Sequence, residues 1–254
     1  CYAVDDVDGI RCPFGDARIT EAGNLNARYV IHAVGPIYDK FADPKAVLES
    51  AYQRSLDLAL DKHCQSVALP AISCGVYGYP PQEAAEVLLK RCAELGATPI
   101  REGIEYSVKE RSLAVGGQVL TLQAPYGEYK EVFLPLHGSH QASNAATALA
   151  AVEVFVGESS LDEEIVRAAF ANATSPGRCE IVMRNPTVII DAAHNPHGAK
   201  SLRRTLEEEF EFDAVIGVIA PMGDKDIEGI MGECEPIFDR VIATKNSSHR
   251  AADI

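Results

Sequence analysis

Thr187-Val-Ile-Ile-Asp-Ala-Ala-His-Asn-Pro196 reads as a buried strand that runs into a tight turn and opens a helix. The β-branched residues 187–190 suit a pleated strand. Asn195 suits an N-cap, and Pro196 the first helical position, where its missing N–H costs nothing. Ala199, Leu202, Leu206 and Phe210 then recur at helical spacing and predict the buried face of that helix. Residues 215–220 predict the next strand, 227–238 the next helix and 241–244 a further strand. This is the regular alternation of an α/β layer. Asp191 falls at the C-terminal tip of a strand, where open α/β sheets bind their ligands. A Rossmann-like layer of three strands is small, so further elements are expected beyond those present.

The composition bounds what such a chain can do. Its 254 residues are 47% hydrophobic and 24% charged, enough for one large core or two modest ones. A formal net charge of -14 argues against non-specific nucleic-acid or membrane-surface binding. Local arginines and helix N-termini can still hold an anionic ligand. Seven cysteines without a CxxC pair point to a reduced, cytoplasmic compartment. No His, Cys or carboxylate spacing predicts a metal site. The longest apolar run, residues 214–222, is broken by Gly217 and Pro221 and is too short for a membrane span. The opening Cys1-Tyr-Ala-Val-Asp-Asp carries neither an initiator Met nor a signal pattern and reads as a cut end.

Upstream, residues 29–34 predict a strand. Asp43-Pro44 predicts the cap and first position of an amphipathic helix over 44–62. Residues 67–72 predict a second buried strand in a largely parallel sheet. It runs into Ser73-Cys-Gly-Val-Tyr-Gly-Tyr-Pro80, a glycine loop whose amides could bind phosphate oxygens. The spacing alone also fits an ordinary strand–helix turn. Pro80-Pro81 opens a helix with Ala85, Leu88, Cys92 and Leu95 on one face, closed by Gly96. Short strands are expected at 104–108, 112–115, 119–123 and 129–134, with Gly116-Gly117 as a hairpin turn. Helices are expected at 141–156 and 161–171, the second opened by a Ser160/Glu163 capping box.

A second set of polar residues follows. His140 and Asn144 lie four apart at the start of an alanine-rich helix and could share the face a nucleotide would meet; a plain helix cap fits the same spacing. Arg178 follows the glycine turn of Ser175-Pro-Gly, where its planar fork could grip phosphate oxygens. Asp191, His194 and Asn195 complete the set at the strand tip.

Gly15-Asp-Ala-Arg-Ile-Thr20, Tyr29-Val-Ile-His-Ala-Val-Gly-Pro36 and Leu69-Pro-Ala-Ile-Ser-Cys-Gly-Val-Tyr-Gly-Tyr-Pro80 occur in the order of a macro domain. The resemblance covers about residues 8–83. It implies that Ser73, Gly75, Val76 and Tyr77 wrap the diphosphate and distal ribose of ADP-ribose. Cys74 stands where that family usually has threonine. The family's adenine-contacting aspartate, asparagine-rich segment and second glycine loop have no counterpart upstream of Gly15. His32 reads as a packed strand histidine.

From Glu83 onward the chain resembles folylpolyglutamate synthase of the Mur ligase superfamily. The resemblance rests on Glu83-Ala-Ala-Glu-Val-Leu-Leu, Ala114-Val-Gly-Gly-Gln118, residues 134–144, Ser175–Arg178, Asp191–Pro196 and Met222-Gly-Asp-Lys-Asp226. That family uses ATP and Mg²⁺ to turn a folate carboxylate into an acyl phosphate, which the amine of glutamate attacks. The resemblance implies that Asn144 meets the adenine region of ATP, Arg178 the phosphates and Asp191 the ribose side, with His140 also in the ATP-binding set. It implies that the catalytic candidate His194 lies near the incoming amino acid. Lys225 and Asp226 read as a surface ion pair. No GxxxxGK[ST] loop occurs, and the family's magnesium ligands have no counterpart.

The expected organisation is therefore a truncated macro segment (1–82), the end of a Mur ligase central domain (83–178) and a partial Rossmann-like domain (179–254). The expected function is a ligase-type nucleotide site without turnover. An ADP-ribose-binding module and a non-functional chimeric fusion are the alternatives.

Overall fold

A computed structural model describes residues 9–75, 77–157, 159–249, 251 and 252. The chain divides into two compact units, Cys1–Pro99 and Ile100–Ile254, and its architecture is mixed α/β.

In the first unit β1 (Asp16–Glu21) pairs antiparallel with β2 (Tyr29–Val34). Helix α1 (Pro44–Asp61) begins as its sequence requires: the Asp43 carboxylate accepts from Ala46 N at 3.0 Å, with Pro44 in the first turn. Replacing Asp43 with Ala removes this cap and is expected to cost about 1 kcal/mol; urea unfolding followed by circular dichroism measures it. Helix α2 (Pro81–Leu95) ends on Gly96 at φ 66°, the left-handed cap that glycine adopts without strain. Leu48, Tyr52, Tyr79, Ala84 and Val87 form the core between these helices and the loop before α2.

Two expectations fail here. Residues 67–72 form no strand, and Val67 is exposed. The Tyr52 hydroxyl takes the place of a neighbouring strand, accepting from Ile72 N at 3.1 Å and donating to Pro70 O at 3.4 Å. The sheet of this unit is accordingly antiparallel. The buried face of α2 is also rotated by one position: Ala84, Val87 and Cys92 are inside, while Ala85 and Leu95 face solvent.

The second unit opens with a meander of β3 (Ser107–Ala114), β4 (Gly117–Gln123) and β5 (Glu128–Leu134). One strand stands where two were expected. Residues 101–106 fold instead into a turn closed by the Arg101–Glu105 ion pair at 2.6 Å, which leaves Ile104 exposed. Ala114 pairs with Gly117, so the hairpin turn is Val115-Gly116, with Gly116 at φ 82°. Along β4, Leu120 and Leu122 point inward with alternate spacing, as a half-buried strand demands. They pack on Ala142, Ala145, Ala146 and Leu149 of α3 (Ser139–Val156), whose small side chains let helix and sheet approach closely. Helix α4 (Glu163–Ala171) is capped by Asp162, not Ser160: its carboxylate accepts from Glu164 N and Ile165 N.

Beyond α4, β6 (Glu180–Arg184) and β7 (Thr187–Ile190) form an antiparallel hairpin, of which only the second strand was expected. Helix α5 (Pro196–Glu209) follows, capped by Asn195 through Gly198 N at 2.8 Å. Ala199 and Thr205 are its buried residues; Leu202, Leu206 and Phe210 are half-buried. Strand β8 (Ile216–Ile219), helix α6 (Ile227–Cys234) and β9 (Arg240–Ala243) complete the order, β8 and β9 pairing in parallel. Strand β7 is bonded to β6 and β8 to β9, so the described strands form two separate pairs where one continuous layer was expected.

Candidate functional site

Asp191 is the organising residue of the second unit. At the end of β7 its Oδ2 accepts from Cys179 N and its Oδ1 from Ala193 N, both at 2.7 Å. Ala192 N donates to Gly177 O at 2.7 Å. One carboxylate thus ties the turn carrying Arg178 to the turn carrying His194. Arg178 itself is exposed, its backbone N bonded to Ser175 O at 3.2 Å. The Cys179 thiol is pushed up to about 12 by burial and then by the Asp191 charge, so it stays protonated and inert. His194 Nδ1 lies 3.1 Å from Ala192 O. A carbonyl only accepts, so Nδ1 donates this bond and Nε2 takes no part in it. Asp191 and His194 line one wall of a cavity of about 500 Å³, opposite β8 and floored by α5 residues such as Leu202.

His140 stands at the head of α3. Gly138 before it sits at φ 97°, and a Cβ there would lie 2.5 Å from the His140 ring and 2.7 Å from Thr205 Oγ1. Only glycine fits. Burial lowers the His140 pKa below 6.5; Asp191 opposes, Arg178 adds, and Glu209 and Arg111 act more weakly. The imidazole is therefore neutral at pH 7. Residues as distant in sequence as His140, Arg178 and Asp191 share one electrostatic neighbourhood. Asn144, one turn further along α3, is exposed and donates to Gln141 Oε1 at 3.2 Å. Lys225 pairs with Asp224 at 3.7 Å, not with Asp226, which caps α6 through Gly229 N.

In the first unit, the loop after residue 72 is held by its own backbone. Tyr79 N donates to Ser73 O and Gly78 N to Gly75 O, each at 2.9 Å, and Tyr38 N donates to Tyr77 O at 2.8 Å. Ser73 adopts φ 66° and Gly78 φ 69°. The Ser73 hydroxyl oxygen is buried without a hydrogen-bond partner and packs against Gly35, where a Cβ would lie 2.3 Å away. Gly75 is exposed, and the Tyr77 ring lies 6.3 Å from Phe14. Val76 lies outside the described residues. His32 bonds Thr20 Oγ1 at 3.0 Å within the strand pair.

Known proteins match both units. The macro domain model matches residues 1–88, and the Mur ligase glutamate ligase domain model matches residues 177–254. A macro domain-containing protein of Vibrio parahaemolyticus is 76% identical over 123 residues, which is 48% of this chain and 71% of that protein. The dihydrofolate synthase/folylpolyglutamate synthase of Mycobacterium tuberculosis is 50% identical over 182 residues, 70% of this chain and 37% of that protein. The chain therefore belongs to the macro domain family, and the rest of it is similar to the Mur ligases. Among solved structures, Mycobacterium tuberculosis folylpolyglutamate synthase complexed with ADP superposes with a TM-score of 0.65 at 51% identity, covering 67% of this chain and 38% of that one. The Thermotoga maritima folylpolyglutamate synthase gives 0.60 at 32% identity, covering 68% and 41%. The chain thus spans well under half the length of the synthases it matches.

The Mur ligase part also holds a polar network that sequence reasoning missed. Glu209, at the end of α5, has a side chain only 2% exposed. Its Oε1 accepts from Gly138 N at 2.8 Å and from Arg111, and its Oε2 lies 2.9 Å from His137 Nδ1. Gln118, fully buried on β4, donates to Leu136 O at 2.8 Å and to Gly138 O at 3.1 Å, and accepts from Arg111 Nε at 2.5 Å. The available signal was an acidic run, Glu207-Glu208-Glu209, at a helix C-terminus, where the helix dipole disfavours acids. Among the described residues no group of three or more His, Cys, Asp or Glu side chains could hold a metal ion. No described helix is long and apolar enough to cross a membrane.

Proposed function

We propose that residues 83–254 carry part of the adenine-nucleotide site of an ATP-dependent carboxylate–amine ligase of the folylpolyglutamate synthase type. They divide into a central-domain portion (83–178) and a C-terminal portion (179–254). The observation that carries this reading is the Asp191 carboxylate, which fixes the Arg178 turn against the His194 turn beside a neutral His140. Asp191 keeps lone pairs for a ribose hydroxyl, Arg178 offers an exposed fork to phosphate oxygens, and Asn144 offers its amide to the adenine end. His194, which lines the cavity, lies near the incoming glutamate. In the complete reaction ATP phosphorylates the folate carboxylate, and the glutamate amine displaces phosphate to form the amide. These 254 residues hold no GxxxxGK[ST] loop, so nothing in them cradles the triphosphate. The purified chain is expected to bind ADP and to add no glutamate to folate. Calorimetry with ADP, together with a chromatographic glutamylation assay, tests both; measurable product overturns the reading of an inactive chain.

A second reading is specific to the first unit. The unpartnered, buried Ser73 hydroxyl, the left-handed backbone at Ser73 and Gly78 and the exposed Gly75 support a diphosphate-binding role for this part of the chain. With the macro domain family, this supports ADP-ribose binding through Ser73, Gly75, Val76 and Tyr77. A flat calorimetric titration with ADP-ribose removes it.

A further inference from the structure

Glu209 stands where an acid is doubly disfavoured. The C-terminal end of a helix repels negative charge, and burial strips the carboxylate of water. Its neighbours Glu207 and Glu208 avoid the second cost by facing solvent. A helix end gains nothing from such a residue, so the reason lies in what the carboxylate holds.

We propose that Glu209 is a positioning residue for the nucleotide site: it fixes the Gly138 backbone and, through it, the His140 imidazole. The two sides of Gly138 are gripped by different groups. Its N–H is held by Glu209, and its carbonyl by Gln118. Gln141 N also donates to that carbonyl at 3.0 Å. With Gly138 held at φ 97°, the His140 ring folds back over the bare Cα. Thr205, one turn before Glu209 on the same face of α5, walls in the ring while its hydroxyl donates to Ser201 O. Arg111 balances the Glu209 charge from β3. The network thus couples α5, which follows the Asp191 turn, to the start of α3.

This inference rests on the nucleotide reading above, and the experiment separates the two. Glu209→Ala and Glu209→Gln are made in the full chain, labelled with ¹³C and ¹⁵N. Cross-relaxation between the His140 ring and the Gly138 and Thr205 protons is measured by NMR, and ADP affinity by calorimetry. Glu209→Ala is expected to lose the ring contacts and to bind ADP about tenfold more weakly, while Tyr129 signals of the β-sheet core stay in place. Glu209→Gln keeps an oxygen for Gly138 N–H and is expected to recover the ring contacts and part of the affinity. It also serves as the test should the Ala variant fail to fold, since a Gln variant with displaced ring contacts contradicts the mechanism. Unchanged ring contacts and affinity in Glu209→Ala overturn the positioning role alone. Weakened binding with the ring contacts intact also overturns it, because the loss then has another origin. A parent chain that binds no ADP overturns the nucleotide reading and with it the role assigned to Glu209.

Discussion

Arg111→Met is expected to destabilise the second unit by about 3–5 kcal/mol. The substitution keeps an apolar stem on β3 but removes the cation that faces the Glu209 carboxylate. Burial pushes the Glu209 carboxyl up; hydrogen bonds from His137 and Gly138 and the charge of Arg111 outweigh it and leave the pKa below its ordinary 4.5. A carboxylate with a lowered folded-state pKa stabilises the fold above its ordinary pKa, and that stability is lost as pH falls through the folded value. In Arg111→Met the lowering is reduced and the buried charge is left undercompensated. The variant is therefore weakest relative to the parent near pH 7. The gap narrows as falling pH protonates Glu209, first in the variant and then in the parent, whose folded-state pKa lies below the ordinary 4.5. Urea unfolding at pH 7 and pH 4 reads both effects, and equal midpoints at pH 7 contradict the account of this network.

Asp191→Ala is expected to produce the second large effect. It strands two backbone donors, Cys179 N and Ala193 N, each now bonded at 2.7 Å. An unsatisfied buried donor costs about 1–3 kcal/mol, and solvent reaching the half-buried site relieves part of this. The consequence for binding is larger than the loss of one ligand contact, since the Arg178 and His194 turns are no longer fixed to each other. ADP affinity is expected to fall by about tenfold or more. Asp191→Asn, with one acceptor oxygen left, is expected to fall between parent and Ala. Calorimetric titration of the three proteins gives the order, and equal affinities for parent and Ala would leave Asp191 without a part in the site.

The fold was legible where one local signal decides it. Asp43-Pro44, Gly96 and Asn195-Pro196 each fix a helix end by cap chemistry, and the structure puts the ends there. Strand pairing was less legible. The apolar run at 67–72 has the composition of a buried strand, yet Pro70 lacks a donor and the Tyr52 hydroxyl satisfies Ile72. Nothing in the run itself encodes Tyr52. Residues 180–190 hold a strand pair turned at Asn185-Pro186, and its first strand, with charged Glu180 and Arg184 at its ends, was not expected. Candidate site residues at element ends could be named because strand tips and glycine turns are recognisable in sequence. Glu209, Arg111 and Gln118 were not, since burial of the Glu209 carboxylate depends on partners 98, 72 and 71 residues away that no periodicity links. Their separation in sequence is the reason they matter: they fasten α5 to β3 and to the loop before α3.

The central claim is that the second unit presents a nucleotide half-site around Asp191. The most direct measurement is an ADP titration of the ¹⁵N-labelled full chain followed through its backbone amide resonances. The account predicts saturable shifts at residues 138–144, 177–179 and 191–195. No shifts there, or shifts confined to loop 73–78, would contradict it.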